Sequence, residues 1–321
     1  MKWGILSTAH INRLLIPGVQ ESAEADVVAV GSRDLARAQE FASRWGIERA
    51  YGSYDEVLSD PDVEAVYIPL PNTLHCDWSI RALEAGKHVL CEKPLSSHPA
   101  EVESAFDVSE RTGRLLSEAF MYRHNPQTAK LKELVDGGAI GELRLIRSAF
   151  SYSLHDPLNI RLRTDVEGGS LMDVGCYCVS GSRLLAGEPT SVVGQQFTGP
   201  TGTDWGFTGI MRFPGDVLAT FDCGTTLPDR EELEVVGTEG SFLLPDPWHC
   251  LKPVIEVRRG GEVERIELEP VDSYRLEVEN LGAAARGEES LLLGRDDAVQ
   301  QARVIAALFR SAETGSAVSL V

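Results

Sequence analysis

Apolar residues in the first 120 positions fall in short blocks separated by longer stretches of mixed character. Blocks at 3–6, 26–30, 65–70, 88–91 and 115–119 have the length of strands. Between them, 35–45, 73–85 and 100–112 carry apolar side chains at helical spacing, and Gly46, Gly86 and Gly113 follow where a left-handed C-terminal cap is favoured. Strand and helix alternating at this pitch predict an α/β fold with a doubly wound parallel sheet of the Rossmann kind. Pro17 lies within the first helical stretch and predicts a break there.

The texture changes after about residue 122. A helix is predicted over 126–135, ending at Gly137-Gly138, and strand-like stretches follow at 142–154, 191–198, 205–213, 217–226, 232–244 and 254–268. Arg258-Arg259-Gly260-Gly261-Glu262 reads as a hairpin turn. A helix over 170–186 interrupts the strands, and helices over 274–285 and 297–313 follow them. The expectation is a C-terminal α+β domain with one large, open, mostly antiparallel sheet. The chain's 321 residues exceed what one core holds, so two domains are expected, 1–122 and 123–321.

Charge narrows the partners. Lys and Arg number 30 against 49 Asp and Glu, a formal net charge of −19. That field repels nucleic acid and anionic membrane, so a phosphate ligand must be held by local groups. The six cysteines show no CxxC spacing and read as reduced thiols of a cytoplasmic protein. The first ten residues contain no signal-peptide core, and no stretch is long and apolar enough to span a bilayer.

Candidate chemistry gathers at the carboxyl ends of the first-half strands, where doubly wound sheets bind ligands. On a G-x-G-x-x-G frame after the first strand the three positions are Ser7, Ala9 and Asn12. None is glycine, but Ser7 and Ala9 are small, and Ser7 and Thr8 add hydroxyl donors. After the second strand come Ser32 and Arg33, with Asp34 one place later. A hydroxyl and a guanidinium suit a 2′-phosphate, which favours NADP, with NAD as the alternative. The opposing reading is a solvated Arg33 beside an Asp34 that caps the next helix. Asn72 is either a nicotinamide or ribose partner or the N-cap of the 73–85 helix.

The fourth strand ends in Glu92-Lys93-Pro94, a lysine held against a proline, and this bond is a candidate for the cis form. With "GILSTAHI", "PNTLH", "MYRHNP", "GGSLMDVGCY" and the late "QARVIAALFRSAETG", the chain resembles the Gfo/Idh/MocA oxidoreductase family, nearest the branch of NADP-dependent D-xylose dehydrogenases and dimeric dihydrodiol dehydrogenases. The resemblance implies that Lys93 is the active-site lysine and that Asp173 and Tyr177, from Asp173-Val174-Gly175-Cys176-Tyr177, complete the catalytic group. Tyr177 stands where many members carry histidine, Ser7 and Ala9 where many carry glycine, and Leu70 where a small hydroxyl residue is frequent. The implied cofactor contacts are Ser7, Thr8, Ala9, His10, Ile11, Ser32, Arg33, Pro71, Asn72, His75, Glu92, Lys93 and Arg123. The implied substrate contacts are Lys93, Arg161, Asp173 and Tyr177. A homodimer or homotetramer is expected.

Asp173 and Tyr177 are four apart on a predicted helix and so share a face. Oxidising an alcohol removes a hydroxyl proton while hydride leaves carbon. A phenol of ordinary pKa ≈ 10 is a weak base at neutrality, and a nearby ammonium lowers that value. The expected division of labour has Lys93 polarise the substrate oxygen, Tyr177 move the proton, and Asp173 hold a sugar hydroxyl or orient Lys93. Arg123 and Arg161 are candidates for the ligand or for structural ion pairs. His124, His155 and His249 stand isolated in sequence, and no metal site is expected. The expected function is hydride transfer between NADP and a sugar, cyclic polyol or related diol. A non-catalytic sensor of NADP(H) or sugar, and a reductase of a non-sugar carbonyl or tetrapyrrole-like acceptor, are the alternatives.

Overall fold

The computed structural model describes residues 1–154, 156 and 158–321. By internal packing they form two compact units, Met1–Met121 with Asp272–Val299, and Tyr122–Val271 with Gln300–Val321. Among the described residues no helix is long and apolar enough to cross a membrane. All six cysteines are buried thiols.

In the first unit, β1 (Lys2–Leu6), α1 (Asn12–Glu21), β2 (Asp26–Gly31), α2 (Leu35–Trp45), β3 (Arg49–Tyr51), α3 (Tyr54–Ser59), β4 (Ala65–Ile68), α4 (His75–Glu84), β5 (His88–Glu92), α5 (Pro99–Thr112) and β6 (Leu116–Ala119) alternate. The six strands are parallel in the order β3-β2-β1-β4-β5-β6, the Rossmann order expected from the apolar blocks. Strands β1, β4 and β5 are buried over nearly their whole length, as strands covered on both faces must be. The sequence reading did not contain β3 or α3. Their signal is the capping box, in which Ser53 accepts from Glu56 N–H and the Glu56 side chain accepts from Ser53 N–H. Pro17 does not break α1. Leu15, Ile16, Gly18 and Val19 are buried on either side of it, and that packing carries the helix past one missing hydrogen bond.

In the second unit, α6 (Pro126–Asp136) is followed by β7 (Leu143–Ser153), α7 (Cys176–Ala186), β8 (Ser191–Thr198), β9 (Asp204–Phe213), β10 (Val217–Gly224), β11 (Thr226–Gly237), β12 (Ser241–Leu244), β13 (Val254–Arg259) and β14 (Glu262–Glu267). A short C-terminal strand, Val318–Ser319, completes a nine-stranded sheet. The sheet is mixed: β7, at its centre, pairs antiparallel with β11 and parallel with β10. The parallel pair arises because the chain leaving β7 passes through α7 before re-entering the sheet. The stretch read as one strand over 232–244 is two, turned where Gly237 N–H donates to Gly240 O. The predicted hairpin at 258–262 joins β13 to β14, with Gly260 and Gly261 at φ +57° and +86°, as a two-residue turn requires.

Two helices follow, α8 (Ser273–Ala285) and α9 (Arg295–Thr314). The expected division at 122/123 put α8 with the second half, whereas its packing is with the first unit. Val278 and Leu281 join the core formed by Trp3, Leu15, Ile16 and Val19. Each such side chain contributes about 1.5–3 kcal/mol on burial. Gly18 admits the approach, since a Cβ there would lie 2.9 Å from Arg275 N.

Entry to α7 depends on a buried acid. The predicted helix 170–186 is a π-turn at Leu171–Gly175 followed by α7, and such turns gather at functional sites. Asp204 accepts from Ser170 Oγ and Leu171 N–H at 2.8 Å each, and Gly169, at φ +127°, leaves room for it. Burial pushes the Asp204 carboxyl up to about 6. An acid raised on folding holds its proton more tightly in the folded chain. Its contribution to stability is therefore greatest at low pH and falls as pH rises from the ordinary carboxyl value to about 6. Asp204→Asn is expected to recover on the order of 2–3 kcal/mol of this loss. The check is thermal unfolding at acid and neutral pH, where the variant's midpoint gains on wild type as pH rises. Asp204→Ala, which strands both donors, lowers the midpoint at either pH.

Candidate active site

The turn after β1 does with other residues what glycines do in a dinucleotide loop. Ser7 sits at φ +143°, a backbone region that favours glycine. Its Oγ donates to Pro69 O and accepts from Ala9 N–H, at 3.2 Å each. Asn12, fully buried, donates to Ser7 O at 2.9 Å, and its Oδ1 has no partner among the described residues. The N-terminus of α1, reached through Thr8, Ala9, His10 and Ile11, carries no side-chain cap. The N–H groups of Asn12, Arg13 and Leu14 close back on the carbonyls of Ala9, His10 and Ile11; a helix start of this kind, with its dipole and small flanking residues, suits a pyrophosphate.

At the end of β2, Ser32 is buried and Arg33 exposed. Asp34 caps α2 through Ala36 and Arg37 N–H, so its carboxylate is already engaged. Burial lifts the Tyr54 phenol, and the charges of Arg33 and Arg37 act on it in the opposite sense. Two cations and a serine, with the carboxylate turned away, fit a 2′-phosphate better than a bare ribose. Arg37, in the first turn of α2, had no mark in the sequence.

Pro71 and Asn72 begin a 3-10 turn before α4, whose cap position falls on Leu74, so Asn72 does not serve as that N-cap. His75, expected among the cofactor contacts, is buried at 1% exposure with its two ring nitrogens 2.8 Å from Leu70 O and 2.9 Å from Pro94 O. Burial holds it down at about 4, and it ties the β4 loop to the residue after Lys93. Lys93–Pro94 is cis. Leu95 N–H donates to Glu118 Oε1 at 2.7 Å, a further anchor of the same loop. Glu92, whose direction the sequence left open, accepts from the buried Tyr67 hydroxyl.

In the second unit, Asp173 lies on the π-turn with both oxygens occupied: Arg161 Nε donates to Oδ1 at 2.9 Å and Tyr152 to Oδ2. Arg161 thus forms an ion pair with the candidate acid. Tyr152 was absent from the sequence reading. Its signal is the alternation along β7, which puts it on the face of the buried Phe150. Tyr177 is 7% exposed, its ring 5.6 Å from Tyr122, 5.3 Å from Phe150 and 6.0 Å from Trp248 between centroids. Arg123 donates to Ser180 Oγ at 3.3 Å, which the Tyr122 hydroxyl also reaches.

His155 lies outside the described residues. His249, isolated in sequence, is brought by the fold to Glu231 and Asp246, with one candidate ligand atom from each within 4.8 Å of the others. Glu231 bonds His249, and the Asp246 oxygens accept from Cys250 and Lys252 N–H at 2.9 Å each.

Comparison with known proteins adds to this geometry. Residues 1–120 match the model of an oxidoreductase family with an NAD-binding Rossmann fold, and residues 128–243 match the GFO/IDH/MocA C-terminal domain. D-xylose 1-dehydrogenase (NADP(+)) 2 of Haloferax volcanii is 40% identical over 100% of both chains. Human trans-1,2-dihydrobenzene-1,2-diol dehydrogenase is 35% identical over 84% of this chain and 81% of its own. A 3-ketoreductase from Actinomadura kijaniata, solved with NADP and TDP-benzene, superposes with a TM-score of 0.91 at 29% identity over 97% of each chain. A Rossmann sheet bearing Glu92-Lys93-Pro94 at a strand end, a mixed second sheet, and both domain matches lead to one conclusion: the chain belongs to the Gfo/Idh/MocA oxidoreductase family.

Proposed function

We propose that the protein is an NADP(H)-dependent oxidoreductase that moves hydride between nicotinamide and a sugar, cyclic polyol or related diol. The observation that carries this reading is a lysine at the β5 end of a Rossmann sheet, in a chain 40% identical from end to end to an NADP-dependent D-xylose dehydrogenase. In this reading the first unit holds the dinucleotide, and the second unit carries the substrate groups and the oligomer contact. The outer face of the second sheet, with Ile210 47% exposed, is where a second copy in a homodimer or homotetramer would be buried. The cytoplasm is the expected compartment, in keeping with six buried thiols.

Bound NADP supplies the acceptor or donor of hydride. The protein's part is to hold charge and move a proton. In the oxidative direction Lys93 keeps its ammonium toward the substrate oxygen and stabilises the negative charge that grows there as the hydroxyl proton leaves. Tyr177, as its phenolate, takes that proton and becomes the phenol, in a wall of aromatic rings that keeps water from competing. Asp173, held at both oxygens by Arg161 and Tyr152, is a fixed acceptor for a neighbouring substrate hydroxyl. Burial and Asp173 raise the Tyr152 phenol above its ordinary value, so Tyr152 orients the acid and leaves proton transfer to Tyr177.

A sensor of the same fold has no use for this set, and Lys93, Asp173 and Tyr177 are all present. The test is NADPH fluorescence on titration, followed by nicotinamide absorbance with a panel of aldoses, inositols and diols. Turnover of a member of the panel supports the proposal, and tight binding with no turnover favours the sensor. Cofactor choice is tested separately. Arg33→Ala removes a charge-assisted contact and is expected to weaken NADPH binding by about 10–100-fold while leaving NADH binding within about threefold. Equal losses for both cofactors count against a 2′-phosphate site at Arg33.

A further inference from the structure

Three side chains of the kind that bind metals meet in the second unit, with no spacing in the sequence to announce them. Glu231 lies on β11, and Asp246 and His249 lie on the loop between β12 and β13. One carboxylate oxygen or ring nitrogen from each falls within 4.8 Å of the other two. Zinc bonds of about 2.0–2.2 Å put tetrahedral ligand atoms about 3.3 Å apart, so a contraction of at most about 1.5 Å closes the set on an ion. Two carboxylates and an imidazole are a donor set that zinc accepts, with water in the fourth position. The surroundings point to a ligand as well. Glu231 Oε1 bonds His249 Nδ1, but Glu231 Oε2 is buried and has no hydrogen-bond partner among the described residues. Gln127 of α6 is fully buried, and its Nε2 donates to Asp246 O at 2.9 Å and to Cys250 Sγ at 3.6 Å, on either side of His249 in the chain. Its Oε1, on the same carbon, likewise has no partner among the described residues. Buried acceptors of this kind need a cation or a donor, and a hydrated cation supplies both. Asp246 is already aimed. Its two oxygens accept from Cys250 and Lys252 N–H at 2.9 Å each, which leaves each oxygen a further lone pair and fixes the carboxylate as outer-shell donors fix metal ligands.

We propose that Glu231, Asp246 and His249 form a binding site for one zinc ion. The ion takes the place of the proton that His249 Nδ1 shares with Glu231 Oε1, and binding releases that proton. Its role is to hold and not to react. It ties the loop 245–253 to β11, and that loop carries Trp248, which packs against Tyr177. The Phe150 ring stands 5.6 Å from His249 and 5.3 Å from Tyr177 between centroids, so the ion braces one end of the aromatic wall around the candidate proton acceptor. The site lies wholly in the second unit and stands whether or not the first unit binds NADP.

The full chain, freed of metal by dialysis against a chelator, is titrated at neutral pH with Zn²⁺ against a chromophoric competitor, and with Co²⁺ by absorbance. Wild type is expected to bind one Zn²⁺ per chain with a Kd below about 10 μM. Its thermal midpoint is expected to rise by about 5 °C at about 100 times that Kd. Co²⁺ is expected to give visible d–d bands with no thiolate charge-transfer band, which separates this site from the six cysteines. Glu231→Gln and His249→Ala, both at partly exposed side chains, each weaken Zn²⁺ binding by at least about tenfold. If neither variant folds, the midpoint shift and the cobalt spectrum of wild type decide. No binding tighter than about 10 μM, a midpoint that zinc does not raise, a thiolate band with cobalt, or full affinity retained in both variants overturns the proposal.

Discussion

Lys93→Met lowers kcat/KM by about 10²–10⁴-fold, the range for losing a charge that acts on the reacting oxygen, while NADPH affinity changes by less than about tenfold. The separation is expected because the loop that carries Lys93 is held by other groups. His75 reaches the carbonyl of Pro94 at 2.9 Å, and Glu118 accepts from Leu95 N–H at 2.7 Å. Removing the amine therefore takes away a charge and leaves the backbone in place. Lys93→Arg is not a rescue, because a planar fork is wider than an ammonium and presents its donors elsewhere. Steady-state kinetics on a sugar that wild type turns over, with fluorescence titration of NADPH beside it, read the two quantities separately. A methionine variant within about threefold of wild-type kcat/KM removes Lys93 from the mechanism.

Tyr177→Phe is expected to lower kcat by about 10²–10⁴-fold with little change in KM or in thermal midpoint. Its ring is packed against Tyr122, Phe150 and Trp248, and phenylalanine preserves that packing. The phenolic oxygen alone is lost, and with it the phenolate that accepts the substrate proton. Any limb of the wild-type pH–rate profile that belongs to the phenol disappears in the variant. Turnover within a few-fold of wild type, at an unshifted profile, means that another group moves the proton. If Lys93→Met is also active, hydride transfer on this chain runs through residues not named here.

Much of the first sheet could be read from the chain because β1, β2, β4 and β5 are nearly continuous apolar blocks, buried on both faces, with a helix after each. β4, with every residue buried, is the plainest case. The short β3 is half exposed throughout and left no such block. Pro17 misled because a local rule was outvoted by four buried neighbours. Most strands of the second sheet were legible, since turns such as Gly260-Gly261 are chemical, but the turn within 232–244 and the parallel pair were not, the latter because pairing partners are chosen across long separations. The candidate site divides in the same way. Lys93, Asp173 and Tyr177 sit in motifs that resemblance picks out. Tyr152, which bonds Asp173 across 21 positions, depends on tertiary approach and carries no local mark.

The placement of α8 bears on how the protein is made. Leu15, Ile16 and Val19 of α1 are packed in a core to which Val278 and Leu281 contribute. A ribosome that has extruded the first half of the chain has yet to synthesise that cover, so the nascent nucleotide-binding fold must wait, greasy side uppermost, for roughly another 150 residues, at an ordinary elongation rate some tens of seconds at the slow end. Over that interval the half-made molecule is a client for chaperones, and a fragment ending at the close of its sixth strand is a poor choice for expression by itself.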